Sequence, residues 1–411
     1  VAARYRRPFP LDVITIRSTP ALRIGAVLHF TGVCPPVEEL RAHVAERLAL
    51  VPALSAGLIG AGAGARWQRM SVSFDDHVRQ RLLPVGGEVE EAVCALEEEA
   101  FPPNGPPWDM TLLTGYEPGR YAMVYRVNHG LQDIGGVVYT LESLFSARSA
   151  PAANSSAVVH ALGNRPRPSL RHLAQAGVLL ARSATSSGWP LPGHTSSGAR
   201  TFRRAAVPTD LLRETSRPYG GSANDAYVAA MARATATWAS THLPHSDSPG
   251  LPLTMGVNIR RPDEAAAPGN YVVGARLAVP GHATTEQRLR TTVAATALLK
   301  PPPRREAIRR LTRAVPHRIL HTLIPLLLAA DHGDVVCSSF ALRRPLRWRG
   351  DPAIAAEPLT ALPAGIPLAA LLLAYQGRSS VHFVTDAALP GMDILHRYWL
   401  RAVREQAGRP V

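Results

Sequence analysis

A polar break near the middle of the chain does most to limit what it can fold into. Residues 148–200 are rich in small and turn-forming residues: Arg148 to Arg171 in Ser, Ala, Pro and Asn, and Ser183 to Gly198 in Ser, Gly and Pro. Only Leu173 to Arg182 between them reads as a short helix. Such stretches cannot join a hydrophobic core and read as a linker. They leave two segments, 1–147 and 201–411, each long enough for a domain. In the first, Leu22 to Thr31 reads as a strand with Ile24, Ala26, Leu28 and Phe30 on one face. Val37 to Leu48 and Val89 to Ala100 have helical spacing, Tyr121 to Val127 is a strand, and a helix runs from about Gly135 to Phe145. The second segment repeats the mixture. An Ala-rich helix starts at Ser222, and strands follow at Leu253 to Ile259 and Tyr271 to Val279. Thr284 to Leu299 is a helix, and Arg304 to Leu328 contains another. Late strands cover Val335 to Phe340, Leu368 to Tyr375 and Ser380 to Thr385, and Met392 to Gln406 is a terminal helix. The simplest architecture is mixed α/β (α+β), in two lobes of similar size.

Composition narrows the class further. Hydrophobic residues make up 46% of the chain and charged residues 18%, which allows a large core and excludes wholesale disorder. The formal net charge is +14, and Lys300 is the only lysine, so the positive charge is almost all guanidinium. The arginines are scattered, with no zinc-finger or RNA-binding signature, which argues against nucleic acid. A diffuse attraction to anionic substrates, carriers or membrane surfaces is the better reading. Arg304, Arg305, Arg309, Arg310 and Arg313 read as one basic helical surface beside the apolar run Ile319 to Leu328. Cys34, Cys94 and Cys337 have no paired spacing and read as buried free thiols in a reducing cytoplasm. No apolar run reaches the ~18 residues of a membrane span, and no apolar segment follows the N-terminal arginines as in a secretory signal.

The segment Asn128-His129-Gly130-Leu131-Gln132-Asp133-Ile134-Gly135-Gly136 lies where a strand ends and a helix begins, a common place for catalytic groups. His129 and Asp133 suit a general base with a structural carboxylate, since imidazole titrates near neutrality. A metal pair is disfavoured, because no further ligand repeats the spacing nearby. A plain structural loop remains open on these residues alone. Ser222, Asn224 and Asp225 form a capping pattern before the Ala-rich helix. Trp108 reads as a core anchor and Ser338 as a strand serine.

Taken with several other segments, the motif resembles the HHxxxDG signature of the chloramphenicol acetyltransferase-like superfamily, which includes condensation domains. The chain resembles the wax ester synthase/diacylglycerol acyltransferase family in particular. Pro10-Leu11-Asp12, Phe74-Asp75-Asp76-His77-Val78, Pro106-Pro107-Trp108-Asp109, Ser222-Ala223-Asn224-Asp225, Val257-Asn258-Ile259-Arg260 with Gly269-Asn270, and Val335 to Ser339 are similar to family segments, in family order. The resemblance implies two chloramphenicol acetyltransferase-like lobes in a V-shaped pseudo-dimer, with the catalytic histidine in a central tunnel. It implies His129 as general base and Asp133 as a structural aspartate paired with an arginine of the second lobe, Arg260 first and Arg261 next. Asn128, Gly135, Gly136, Asn224, Asp225 and Ser338 are the supporting positions. Two departures stand out. Asn128 replaces the first histidine, and Ile134 replaces the signature glycine, whose turning role falls to Gly135 if the loop is shifted.

The expectation is therefore an acyltransferase that forms an ester from a thioester and an alcohol. The co-substrate is acyl-CoA or a phosphopantetheinyl thioester on an acyl carrier protein, with no bound cofactor and no metal. Backbone donors near Gly135 and Gly136 are expected to steady the oxyanion. A monomer in the cytoplasm is expected, with a peripheral membrane contact and no nucleic-acid partner. Two further readings stay open: a carrier-dependent condensation enzyme forming an ester or amide, and an inactive homologue that serves as a binding protein.

Overall fold

The computed structural model describes residues 7–146, 167–183, 190–191, 195–243, 251–316, 318–320 and 333–409. Much of the expected linker, and the apolar run beyond Leu320, lie outside the described residues. Two six-stranded sheets form the framework. The first has the order β11-β12-β1-β6-β5-β4, with β1 Arg23–Thr31, β4 Val78–Leu82, β5 Trp108–Thr114, β6 Arg120–Asn128, β11 Arg347–Trp348 and β12 Asp351–Thr360. The second has the order β7-β14-β13-β10-β8-β9, with β7 Arg200–Pro208, β8 Leu253–Asn258, β9 Val272–Leu277, β10 Val335–Ala341, β13 Leu368–Tyr375 and β14 Arg378–Asp386. A small hairpin, β2 Ala56–Ile59 with β3 Arg66–Arg69, stands apart.

Strand β1 is buried on both faces, which explains its nearly unbroken apolar sequence. Ile24, Ala26, Leu28 and Phe30 join the core beneath the helices Val37–Arg47 and Ile134–Phe145, while Val27 packs under the helix Val89–Glu98. The second lobe is organised by the helix Ala223–His242. Its alanines let it lie close against the sheet and against the helix Leu395–Gln406, where Tyr227 and Trp399 meet edge to face. Tyr227 Oη also donates to the Ala370 carbonyl at 2.9 Å, tying helix to sheet.

The chain order of the lobes is less simple than a division at the linker suggests. After β10 the chain leaves the second sheet, adds β11 and β12 beside β1, and returns as β13, parallel to β10. Residues 347–360 therefore complete the first lobe's sheet although they belong to the expected second lobe, 201–411. Tyr375 fastens the crossing: its hydroxyl accepts the Leu346 N–H at 2.9 Å and donates to the Ala353 carbonyl at 3.0 Å. Of the three free thiols, Cys337 is buried, whereas Cys34 and Cys94 are only half-buried. Among the described residues no helix is long and apolar enough to cross a membrane.

Candidate active site

Strand β6 ends at Asn128, and the chain turns at once into the helix Ile134–Phe145. The turn is fixed at each residue. The buried Asn128 side chain accepts the Gly130 N–H at 2.8 Å and donates to the Pro20 carbonyl at 3.3 Å. The His129 N–H donates to the Leu22 carbonyl at 2.9 Å, which ties the loop to the entrance of β1. Gln132 is held between Tyr125, whose hydroxyl it accepts at 2.8 Å, and Thr140, which it reaches at 2.9 Å. Asp133 caps the helix by accepting the Gly136 N–H at 2.8 Å. Asn128 thus does a turn residue's work in place of the signature's first histidine.

No residue from Asn128 to Gly136 has a positive φ, so Ile134 sits unstrained at the first helical position. The glycine it replaces is not needed for backbone conformation, and no one-residue shift is required. Gly135 and Gly136 are needed for space. A Cβ on Gly135 would lie 3.1 Å from the Asp133 carboxylate, and one on either glycine would lie 3.5 Å from Arg260. The tight approaches are to the loop itself, since a Cβ on Gly136 would also lie 3.0 Å from the Gln132 side chain, while Arg260 sits at ordinary contact distance. The Gly136 N–H is already engaged by Asp133, so it is not a free oxyanion donor as expected from sequence.

Asp133 is fully buried, and the second lobe completes its shell. It accepts the Tyr271 N–H at 2.8 Å and Arg260 Nε at 3.2 Å, with a second guanidinium nitrogen at 3.1 Å. Arg260 lies over the Tyr271 ring at 4.3 Å and also donates to the carbonyls of Glu264 at 2.6 Å, Ala267 at 2.8 Å and Gly269 at 2.8 Å. Arg261, the second candidate, turns away and pairs with Glu306 at 2.6 Å. With its oxygens taken up by these donors, Asp133 links the two lobes.

His129 is half-buried, and its Nδ1 is buried with no hydrogen-bond partner among the described residues. Burial lowers its pKa below the ordinary imidazole value, while the backbone of His129 and Gln132 and the Asp133 carboxylate pull the other way. The ring is thereby kept neutral and able to accept a proton. Among the described residues no group of three His, Cys, Asp or Glu side chains could hold a metal.

The other expected positions divide. Asn224 accepts the Ser339 hydroxyl at 2.6 Å. Ser338 points to the opposite face of β10, beside Gly256, the face from which Phe340 reaches the first lobe's core. Asp225 accepts the Ser222 N–H at 2.6 Å, the Thr296 hydroxyl at 2.5 Å and Lys300 at 3.1 Å, all within the second lobe. Trp108 is fully buried and donates to the Leu54 carbonyl at 2.7 Å, the contact of a core anchor. Arg309 corrects the reading of a basic surface. It is buried, pairs with Glu264 at 2.5 Å and donates to the Ile259 carbonyl at 3.1 Å. Sequence reasoning also passed over Asp12 and Tyr271, which meet the same junction. The sequence signal for them was present in Pro10-Leu11-Asp12 and in the residue after Gly269-Asn270. A cavity of about 320 Å³ lies elsewhere, on the second lobe, lined by Leu211, Tyr219, Leu289 and Arg409 among others.

Residues 21–237, more than half of the chain, match the sequence profile of the wax ester synthase/diacylglycerol acyltransferase catalytic domain. Two proteins of Mycobacterium tuberculosis, provisionally named diacylglycerol O-acyltransferases, are similar. One is 30% identical over 254 residues, covering 51% of this chain and 50% of its own. The other is 24% identical over 231 residues, covering 52% and 50%. The chain thus spans about half the length of the curated relatives it matches. Among solved structures, the wax ester synthase/diacylglycerol acyltransferase of Marinobacter aquaeolei VT8 superposes with a TM-score of 0.62 at 18% identity, covering 98% of this chain and all of that one. The first condensation domain of the calcium-dependent antibiotic synthetase gives 0.68 at 16% identity, covering 99% and 96%. A mutant starter condensation domain of rhizomide synthetase bound to C8-CoA gives 0.62 at 15% identity, covering 98% and 94%. The fold is the two-lobed, chloramphenicol acetyltransferase-like one.

Proposed function

We propose, for a chain that belongs to the wax ester synthase/diacylglycerol acyltransferase family, that it forms an ester by moving an acyl group from a thioester to an alcohol, with His129 as general base. The observation that carries this reading is the placement of His129 on a loop fixed from both lobes through Asp133 and Arg260, with burial lowering the imidazole pKa. As the alcohol oxygen attacks the thioester carbonyl, His129 takes the hydroxyl proton. The tetrahedral adduct then expels the thiolate, and the imidazolium returns the proton to sulfur. The products are an ester and a free thiol, and no acyl-enzyme is needed because both substrates meet one base. Ser338, on the face of β10 turned toward the first lobe, is the candidate side-chain donor to the carbonyl oxygen.

The donor is acyl-CoA or the same acyl group on a carrier protein. Likeness to a condensation domain bound to C8-CoA supports a CoA-linked donor. The test is release of free thiol, with product identified by mass, from acyl-CoA and from acyl-carrier protein, each offered alcohols and amines. Ester formation with an alcohol is expected. Turnover only with amines on a carrier-bound donor would replace this reading with a condensation enzyme. No turnover with any pair would leave a binding protein.

A further inference from the structure

Three consecutive N–H groups of the second lobe end on acceptors of the first. The Gly269 N–H donates to the Leu131 carbonyl at 2.7 Å, the Asn270 N–H to Asp12 Oδ1 at 2.8 Å, and the Tyr271 N–H to Asp133 Oδ2 at 2.8 Å. The outer two hold the His129 loop. The middle one holds a different element, the N-terminal helix Pro10–Ser18. The other Asp12 oxygen accepts the Phe9 N–H at 2.7 Å, which fixes the carboxylate on the first turn of that helix. The helix in turn lies directly on the loop. A Cβ added at Gly130, next to His129, would come within 2.8 Å of the Asp12 carbonyl oxygen and of the Ile16 side chain. Helix, loop and the 269–271 segment therefore form a closed three-way junction, in which Asp12 supplies a side-chain hydrogen bond between helix and segment and the ring of the cap residue Phe9 packs edge to face on Tyr271.

The residue types at the junction are narrowly set. Gly269 has a φ of +113°, and a Cβ there would lie 2.9 Å from Asp12 Oδ2. A side chain at 269 would push the carboxylate off Asn270. Asparagine at position 12 could accept one of the two N–H groups but would turn its amide N–H₂ toward the other. Asp12 itself is 1% exposed, so water does not replace what a variant loses.

We propose that Asp12 is a positioning residue for His129: by pinning Asn270 to the N-terminal helix, it sets the placement of the loop on which that helix rests. It acts through the junction and touches neither the imidazole nor the substrates. The proposal rests on the reading of His129 as the base, so its test needs one arm that does not depend on turnover. That arm is amide hydrogen exchange of the full chain, followed in the peptides covering 128–136 and 269–271. Asp12→Ala and Asp12→Asn should both raise exchange in the two regions together. Gly269→Ala, which keeps the Asp12 side chain but crowds its Oδ2, should do the same, and it serves if the Asp12 variants fold poorly. In the kinetic arm, kcat should fall about ten- to hundredfold, since a ~1 Å misplacement of a reacting group can cost ~10²-fold, with KM for donor and acceptor unchanged. Adding Gly269→Ala to Asp12→Ala should bring little further loss, because both break one contact. The proposal is overturned if 128–136 stays as protected as in the wild type. It is equally overturned if the variants raise KM alone or lose kcat additively. A wild type without acyl transfer would sink the functional reading, and the exchange arm would still decide whether Asp12 orders the loop.

Discussion

The His129 loop has a topological counterpart in the second lobe, and the two are built differently. In each lobe a hairpin, β5–β6 or β13–β14, pairs through its first strand in parallel with an earlier strand, β4 or β10. Its second strand pairs antiparallel with β1 or β7. Each hairpin exits toward a helix, Ile134–Phe145 or Leu395–Gln406, with a buried aspartate near the exit. Asp386 is satisfied at home, by the hydroxyls of Ser196 at 2.5 Å and Ser197 at 2.6 Å and the Ala388 N–H at 2.8 Å. Asp133 is satisfied from across the lobe interface, by Arg260 and the Tyr271 N–H. A histidine stands at the same spacing before Asp386, but His382 lies inside β14, buried, with its ring stacked on Phe202 and its Nδ1 accepting the Thr360 N–H at 3.3 Å. The same strand-to-helix exit thus closes a loop in one lobe and joins two lobes beside His129 in the other. What distinguishes a site here is where the carboxylate's partners come from, not the exit itself.

The contrast should show most in turnover. His129→Ala is expected to lower it at least ~10²-fold, the low end for a lost general base, with the fold intact by circular dichroism. Asp386→Asn should leave turnover at wild-type level, and Asn128→Ala should cost far less than His129→Ala. A His129 variant with full activity on saturating substrates would remove the distinction between the loops. Stability sharpens it next. Asp133→Asn strips one partner from a buried ion pair, a loss of ~3–5 kcal/mol, so denaturant midpoint and turnover should fall together. Asp386→Asn should lower only the midpoint.

Acid separates the two loops by sign and by range. Burial lowers the His129 pKa, so the proposed base takes up a proton only below the ordinary imidazole range. Activity should hold as pH drops through the ordinary imidazole range near ~6.5 and fall only at the lowered value. The unfolded chain takes up that proton first, so this group also costs stability once pH passes below ~6.5. The Asp386 pKa is lowered by its hydroxyl and N–H donors against the desolvation that raises it. Its contribution is whole above the unfolded value of ~3.9 and is lost as pH falls through the folded one. A pH-rate profile should therefore stay flat through ~6.5, and the Asp386 contribution to unfolding should disappear only below ~3.9. An acid limb at or above ~6.5 would mean His129 is not the buried neutral base described here.

Much of this was legible in the residues and some was not, for identifiable reasons. Periodicity placed β1, β6 and the helices around them because each has a long apolar face. It missed β12, whose Pro352 and Pro358 read as strand breakers. There β11 pairs only with Asp351 and Pro352 and does not reach Pro358, so no β11 residue needs the missing Pro358 N–H. His129, Asp133 and Arg260 could be named from motif order. That Gly135 and Gly136 leave room for Asp133 and Gln132, and that Ser339 meets Asn224 while Ser338 lies beside Gly256, depends on which face each side chain takes. Strand alternation alone does not say which face that is.

The smallest expected effect concerns the charges that the second lobe turns outward instead of toward His129. On the helix Pro302–Ala314, Arg309 is buried against Glu264, so reversing it would break the junction and report nothing about docking. Arg310 is exposed beside Glu306 at 3.4 Å, and Arg305 is half-buried on the same helix. If the +14 excess draws in a phosphopantetheine thioester, donor affinity should weaken as salt rises, because screening at physiological salt acts over ~8 Å. The loss should fall mainly on association. Free CoA senses charges near its entry point only, whereas an acidic carrier protein senses a wider patch. Arg305→Glu with Arg310→Glu should therefore raise KM for a carrier-bound donor more than for the same acyl group on CoA, with kcat unchanged for both. Equal losses in kcat would mean the pair disturbs the buried Arg309 contact after all. No change with either donor would make these arginines a solvated face, and the contrast would then rest on the inward-facing residues alone.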